Sequence, residues 1–325
     1  MTLDRRSFLA ALAGAACSTP QGETVGQEVA ENLHPFAPDA LGANTAITGW
    51  GFFEAVAQIA DLGYRTIEVQ NLDGRLEATD GAFPGFRLDE LNEEEKERIQ
   101  DALKPFDQVT AHLPYPPEMN YIAPDGEEAA AALERALDAA AFVGAKAAVL
   151  HPQPSGADLM ANWSVAVERI RRWGAMAADR GFNLACETSM PASVPDLLRF
   201  HDEIDHPNVG VTLDVGHQAR FAELAHIPEA DYATPEAIKA YNDLNIRIVH
   251  ELGERLTHLH IHDIEPSTWA EHKPLIHGFI DYPALISALR DVRYEGALVF
   301  EIGGAPEEMP GYLREGKSKL DALLG

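Results

Sequence analysis

From about residue 41 onward, short apolar runs alternate with longer stretches in which apolar residues recur every three or four positions. The short runs predict strands at Leu41–Thr48, Arg65–Gln70, Gln108–Leu113, Lys146–His151, Asn183–Thr188, Val209–Asp214, Leu256–His262 and Ala297–Ile302. The longer stretches predict amphipathic helices near Phe52–Leu62, Glu93–Lys104, Glu127–Val143, Leu159–Asp179, Val194–Asp202, Pro235–Glu254 and Tyr282–Leu289. Eight strands, each followed by a helix-length segment, predict an α/β fold and a single-domain (β/α)8 TIM barrel over residues 41–325. A doubly wound open sheet would need a Gly-rich first turn, and no strand-to-helix join carries G-x-G-x-x-G.

The polar residues inside this pattern fall at particular places. Glu68, His112, His151, Glu187, Asp214, His260 and Glu301 all sit in or just after the C-terminal halves of different predicted strands, where a barrel assembles its active site. Any one of them could simply cap a neighbouring helix. Together they would bury like charges and unpaired polar groups at a cost of several kcal/mol unless a cation compensated, so the pattern points to a bound divalent metal. Trp50 and Phe52 after the first strand, and Tyr115 after the third, are candidates either for stacking on a sugar or for ordinary loop packing. The long connection from His217 to about Thr234 reads equally as a lid or as a surface insertion.

Charge narrows the range of partners. The formal net charge is −27 and only seven residues are lysine, so the surface repels phosphate backbones and argues against a nucleic-acid ligand. Lys273 is the lysine nearest the expected mouth, and neither a Gly-rich loop nor paired arginines await a phosphate, which favours an unphosphorylated substrate. Residues 1–20 carry Arg5-Arg6, Phe8-Leu9 and an alanine-rich run, and look like a twin-arginine export signal, which implies a periplasmic or otherwise exported protein. The apolar run is too short to span a bilayer as a helix. Cys17 follows Gly14-Ala15-Ala16 as a candidate lipid-anchor site without the leucine expected before it, and residues 21–40 read as a linker. Cys186 is the one other cysteine, so the mature domain has no internal disulfide.

The segments A-H-L-P-Y at 111–115, V-L-H-P at 149–152, C-E-T-S at 186–189, T-L-D-V-G-H at 212–217, H-L-H-I-H-D at 258–263, H-K-P-L-I-H-G-F-I-D-Y at 272–282 and V-F-E-I at 299–302 resemble the xylose isomerase-like superfamily. That superfamily covers sugar epimerases, inosose dehydratase-type enzymes and zinc apurinic endonucleases, and one scaffold hosts all of these chemistries. The epimerase-like members imply metal ligation by Glu187, Asp214, His260 and Glu301, a donor set that suits Mn2+, Mg2+, Co2+ or Zn2+. The resemblance also implies that Asp263 supports His260, that His262 is structural, and that His217 either binds a sugar oxygen or takes a second metal. His112, His151, His272, Glu68 and Trp50 complete the expected substrate-binding set, with the alternative that the positions of His112 and His151 hold further zinc ions, as they do in the endonuclease-like members. His272 matches a ligand position of the multi-metal members, but Ala270 stands where those carry an aspartate.

These assignments imply a metal-dependent isomerase or epimerase acting on an unphosphorylated sugar or keto-sugar. Glu187 and Glu301 would remove and return a proton next to the carbonyl, and the cation would stabilise the enediolate. A keto-sugar dehydratase or lyase begins with the same step and is the alternative. An apurinic-endonuclease-type hydrolase conflicts with the acidic surface, and a non-catalytic sugar-binding barrel would leave both glutamates idle. Relatives often form homo-oligomers, but nothing in the sequence identifies an interface.

Overall fold

Eight parallel strands close into a barrel in chain order, with the first paired to the last. They are β1 (Leu41–Asn44), β2 (Thr66–Val69), β3 (Gln108–His112), β4 (Ala147–Leu150), β5 (Asn183–Glu187), β6 (Val209–Asp214), β7 (Leu256–Ile261) and β8 (Ala297–Phe300). Each is followed by a helix: α1 (Phe52–Asp61), α2 (Glu93–Leu103), α3 (Glu127–Phe142), α4 (Trp163–Arg180), α5 (Val194–Ile204), α6 (Pro235–Leu252), α7 (Tyr282–Asp291) and α8 (Met309–Leu324). The computed structural model describes residues 34–77, 83–116 and 118–325. The export-like leader, Cys17 and most of the expected linker lie outside the described residues. No helix among the described residues is long and apolar enough to cross a membrane.

Every predicted strand and helix is present, most of the strands a residue or more shorter than their apolar runs. Local chemistry sets several helix starts. The Asn92 side chain accepts from the Glu95 amide while Glu95 reaches back to the Asn92 amide, a capping box that opens α2. Ser193, Thr234 and Asp281 each accept from an amide in the first turn of α5, α6 and α7. The final helix, α8, has no counterpart among the predicted elements. Its sequence carries Pro310, Gly311 and Gly316, which weaken a helical reading. Gly316 serves packing rather than propensity, because a Cβ there would lie 2.6 Å from the Phe300 ring of β8.

The stretch just before β1 also differs from expectation. Residues 36–40 belong to the barrel rather than to a linker: Ala40 is buried, its carbonyl accepts from the Leu298 amide, and Phe36 packs beneath the Arg290 guanidinium. The connection after β6 holds short 3-10 turns at His217–Arg220 and Glu229–Asp231, and buries Phe221 and Leu224. Tyr232 near its end stacks on Trp269 with ring centroids 3.9 Å apart.

Candidate active site

The strands end in polar residues at one face of the barrel. Asn44, His112, Glu187 and Asp214 close their strands, Glu68 and His260 are penultimate, and His151 and Glu301 come immediately after β4 and β8. Parallel pairing then sets neighbours: Asp214 lies opposite His260, and Asn44 opposite Glu68.

Ligand-capable atoms of Glu187, Asp214, His260 and Glu301 all lie within 4.8 Å of one another, so the structure brings the expected metal quartet together. His260 Nδ1 is 2.8 Å from Glu187 Oε1, 3.0 Å from Glu301 Oε2 and 3.8 Å from Asp214 Oδ2. One oxygen of Asp214 accepts from the Gly216 amide at 2.7 Å and pairs with His262 Nε2 at 2.9 Å. The other, Oδ2, is buried and has no hydrogen-bond partner. A buried carboxylate oxygen left without a partner is costly in isolation. Beside two more carboxylates and an imidazole, it fits a divalent cation well.

Electrostatics follow from this crowding. Burial pushes the Glu187 carboxyl up, but the His151 and His260 imidazoles outweigh it and hold it well below the usual carboxylate range. Asp214 is likewise lowered against burial by His217 and His262, and Glu301 by His260. Burial would lower His260, yet Glu301, Glu68 and Glu187 raise it well above the ordinary histidine value. The carboxylates and imidazoles of the cluster thus hold one another in their charged forms, and a cation at the same point would be drawn to the same carboxylates.

Two expected roles are corrected. Glu68 is fully buried and accepts from Asn44 Nδ2 at 3.1 Å and Thr110 Oγ1 at 3.3 Å, while pairing with His260 Nε2 at 3.0 Å. It lies beneath the quartet, holds His260 so that Nδ1 faces the other carboxylates, and lines neither cavity at the mouth. Asp263, expected to support His260, instead accepts from the Ile264 and Ile280 amides, both at 3.0 Å. His262 is structural as expected, but its partner is Asp214. Its Nδ1 accepts from the His272 amide at 2.9 Å, so Nε2 carries the proton it gives to Asp214. Gly216 permits this contact, since a Cβ there would lie 2.2 Å from His262 Cε1.

Above the quartet opens a cavity of about 380 Å3 lined by His151, Glu187, His217, His272 and Glu301 together with Tyr115. His151 Nε2 sits 2.5 Å from Glu187 Oε2, and its ring stacks on Tyr115 with centroids 3.8 Å apart. His112 is buried behind this pair, its Nδ1 donating to the Leu113 carbonyl at 3.0 Å and its Nε2 3.9 Å from Glu187 Oε2. His272 Nδ1 donates to the Glu301 carbonyl at 2.9 Å, and His217 Nε2 is 3.9 Å from Asp214 Oδ1. Trp50 does not join them. It and Phe52 are buried in the hydrophobic core and line neither of the two cavities at the mouth.

Residues outside the expected set also contribute. Arg220 lines the cavity with its guanidinium 2.6 Å from Glu271 Oε1, which neutralises it as an anion site. Asn44 Nδ2 is 3.4 Å from Glu301 Oε1 as well as donating to Glu68, and His258 Nε2 lies 3.2 Å from Glu68 Oε2. Asn44 carried no strand-end signal, because the predicted first strand runs on to Thr48 whereas β1 ends at Asn44. His258, on the same strand face as His260 and one layer deeper, carried none either.

The family model for the xylose isomerase-like TIM barrel matches residues 56–323. No curated protein matches the sequence. Among solved structures, a D-psicose 3-epimerase determined in the presence of D-fructose is 18% identical with a TM-score of 0.65, over 88% of this chain and 99% of that one. A D-psicose 3-epimerase with D-tagatose from Clostridium cellulolyticum H10 is 16% identical with a TM-score of 0.64, over 88% and 99% of the two chains. The 3-keto-D-glucoside 4-epimerase from E. coli is 21% identical with a TM-score of 0.59, over 87% and 99%. At these identities the likeness establishes a common barrel.

Proposed function

The chain belongs to the xylose isomerase-like TIM-barrel family, and from that premise we propose that it is a metal-dependent isomerase or epimerase of an unphosphorylated sugar or keto-sugar. The observation that carries the reading is the convergence of Glu187, Asp214, His260 and Glu301 within 4.8 Å at the floor of an open cavity. These four would hold one divalent ion, with Mn2+, Mg2+, Co2+ and Zn2+ as the candidates. When bound, such an ion supplies the positive charge that acidifies a proton on the carbon next to a sugar carbonyl.

The chain's own groups do the rest. Glu187 and Glu301 have lowered pKa values and stand ionised at neutral pH, as proton acceptors must. They come from β5 and β8, so they can address opposite faces of one carbon. One removes the proton and the other returns it, which inverts that centre or moves the carbonyl. The stacked Tyr115 and His151 rings wall the cavity on one side, and His217, Ser189 and Gln153 offer hydrogen bonds to sugar hydroxyls. The D-psicose and 3-keto-D-glucoside epimerases that share the barrel support a sugar substrate.

Glu301→Gln is expected to keep sugar binding while losing solvent-deuterium incorporation next to the carbonyl by at least about 100-fold. Metal content of the variant is measured in parallel, and undiminished exchange with metal retained removes the proposal. Elimination of a hydroxyl after the same proton abstraction is the second reading. It is favoured by His217 at the mouth, its ring centroid 6.4 Å from that of His151, where it could protonate a leaving hydroxyl. Product analysis separates the two.

A further inference from the structure

The mouth holds two chambers of contrasting chemistry. The polar cavity meets a second, of about 310 Å3, across Tyr115, His272 and Glu301, which line both. Ile47, Phe83, Ile302 and Met309 wall the second chamber, and Thr48 stands in its lining as an exposed residue. Phe83 is 39% exposed and is one of only three large hydrophobic side chains left exposed among the described residues. Glu187 lines only the polar chamber.

A free ketose has a hydroxyl on nearly every carbon. Against Ile47, Ile302 and Met309 those hydroxyls would give up water without gaining hydrogen-bond partners, which is unfavourable. The polar chamber alone already falls in the size range of small-molecule sites, and it holds the hydrogen-bonding groups a sugar needs. The apolar chamber therefore suits something attached to the sugar, and the open Phe83 face suits an apolar or aromatic group.

Resting on the isomerase or epimerase reading above, we propose that the substrate is a keto-glycoside. Its carbonyl-bearing ring occupies the polar chamber beside Glu187, and its aglycone fills the chamber walled by Ile47, Phe83, Ile302 and Met309. A glycosidic bond locks the anomeric carbon, so the carbonyl needed for proton abstraction must lie at another ring carbon. The reaction that supplies this substrate is then the oxidation of a ring hydroxyl of an intact glycoside.

The test compares free 3-keto-D-glucose with its methyl and phenyl β-glycosides, by calorimetric binding to the Mn2+-loaded protein and by deuterium exchange. The phenyl glycoside is expected to bind at least about tenfold more tightly than the free sugar. Phe83→Ala should weaken the phenyl glycoside about fivefold and leave the free sugar within about twofold. Thr48→Trp, at an exposed position, should close the chamber to the phenyl glycoside alone. Equal binding of free and phenyl-bearing sugar, or equal losses for both in Phe83→Ala, overturns the keto-glycoside assignment even if exchange proceeds. A retained phenyl preference without exchange on any sugar upholds the chamber's role and instead overturns the proton-transfer reading.

Discussion

His260 has carboxylates on every side. Glu187, Asp214 and Glu301 gather at Nδ1, while Glu68 holds Nε2 from below. A ligating histidine whose second nitrogen is held by a carboxylate keeps its orientation and gains basicity, and losing that partner typically costs 10- to 100-fold in metal affinity. Glu68→Gln should therefore weaken Mn2+ binding by about 10- to 100-fold while leaving far-UV circular dichroism unchanged. An unaltered Mn2+ dissociation constant would show that Glu68 does not act through His260. Strand-end position identified Glu68, Glu187, Asp214, His260 and Glu301 as members of one site because barrel strands must deliver their last residues to one face. It could not rank them by depth, so Glu68 was expected at the substrate when it lies beneath the proposed metal quartet. Trp50 failed for a related reason: an aromatic residue after a strand serves core and cavity equally well until the loop's path is known.

At the scale of elements, the legible parts were those with strong periodicity or capping chemistry, such as α2 behind Asn92 and α6 behind Thr234-Pro235. The helix α8 was unread because Gly316 answers to the Phe300 ring across the interface and not to its own helix. Within α5, His201 is 6% exposed with Nε2 unpartnered, and burial together with the Arg255 charge lowers its pKa from 6.5 to about 4. The folded value lies below the unfolded one, so between about pH 6.5 and 4 the unfolded chain binds the extra proton. Stability from the neutral imidazole is thus complete above about pH 6.5 and is lost as the pH falls, by about 2 kcal/mol between pH 7 and pH 5. Urea unfolding at both pH values should show this component in the native protein and not in His201→Leu. An identical pH dependence in the two proteins would contradict it.

For the whole molecule, the barrel's closure turns residues spread from Glu187 to Glu301 into neighbours, and the alternation of eight apolar runs with helical stretches makes that closure legible in the sequence. What the sequence could not show was the division of the mouth, since the apolar chamber draws Ile47, Phe83 and Ile302 from three separate connections and Met309 from the start of α8. Under the proposed function, the carboxylates buried together at this point are compensated by a divalent ion as well as by the imidazoles beside them. The most direct measurement is a calorimetric titration of Mn2+ into metal-stripped protein and into its Asp214→Asn variant. One ion should bind per native chain, with the variant losing that binding while remaining folded. A folded native protein that takes up no divalent ion, or a variant that binds it equally well, would contradict the metal centre on which the proposed chemistry rests.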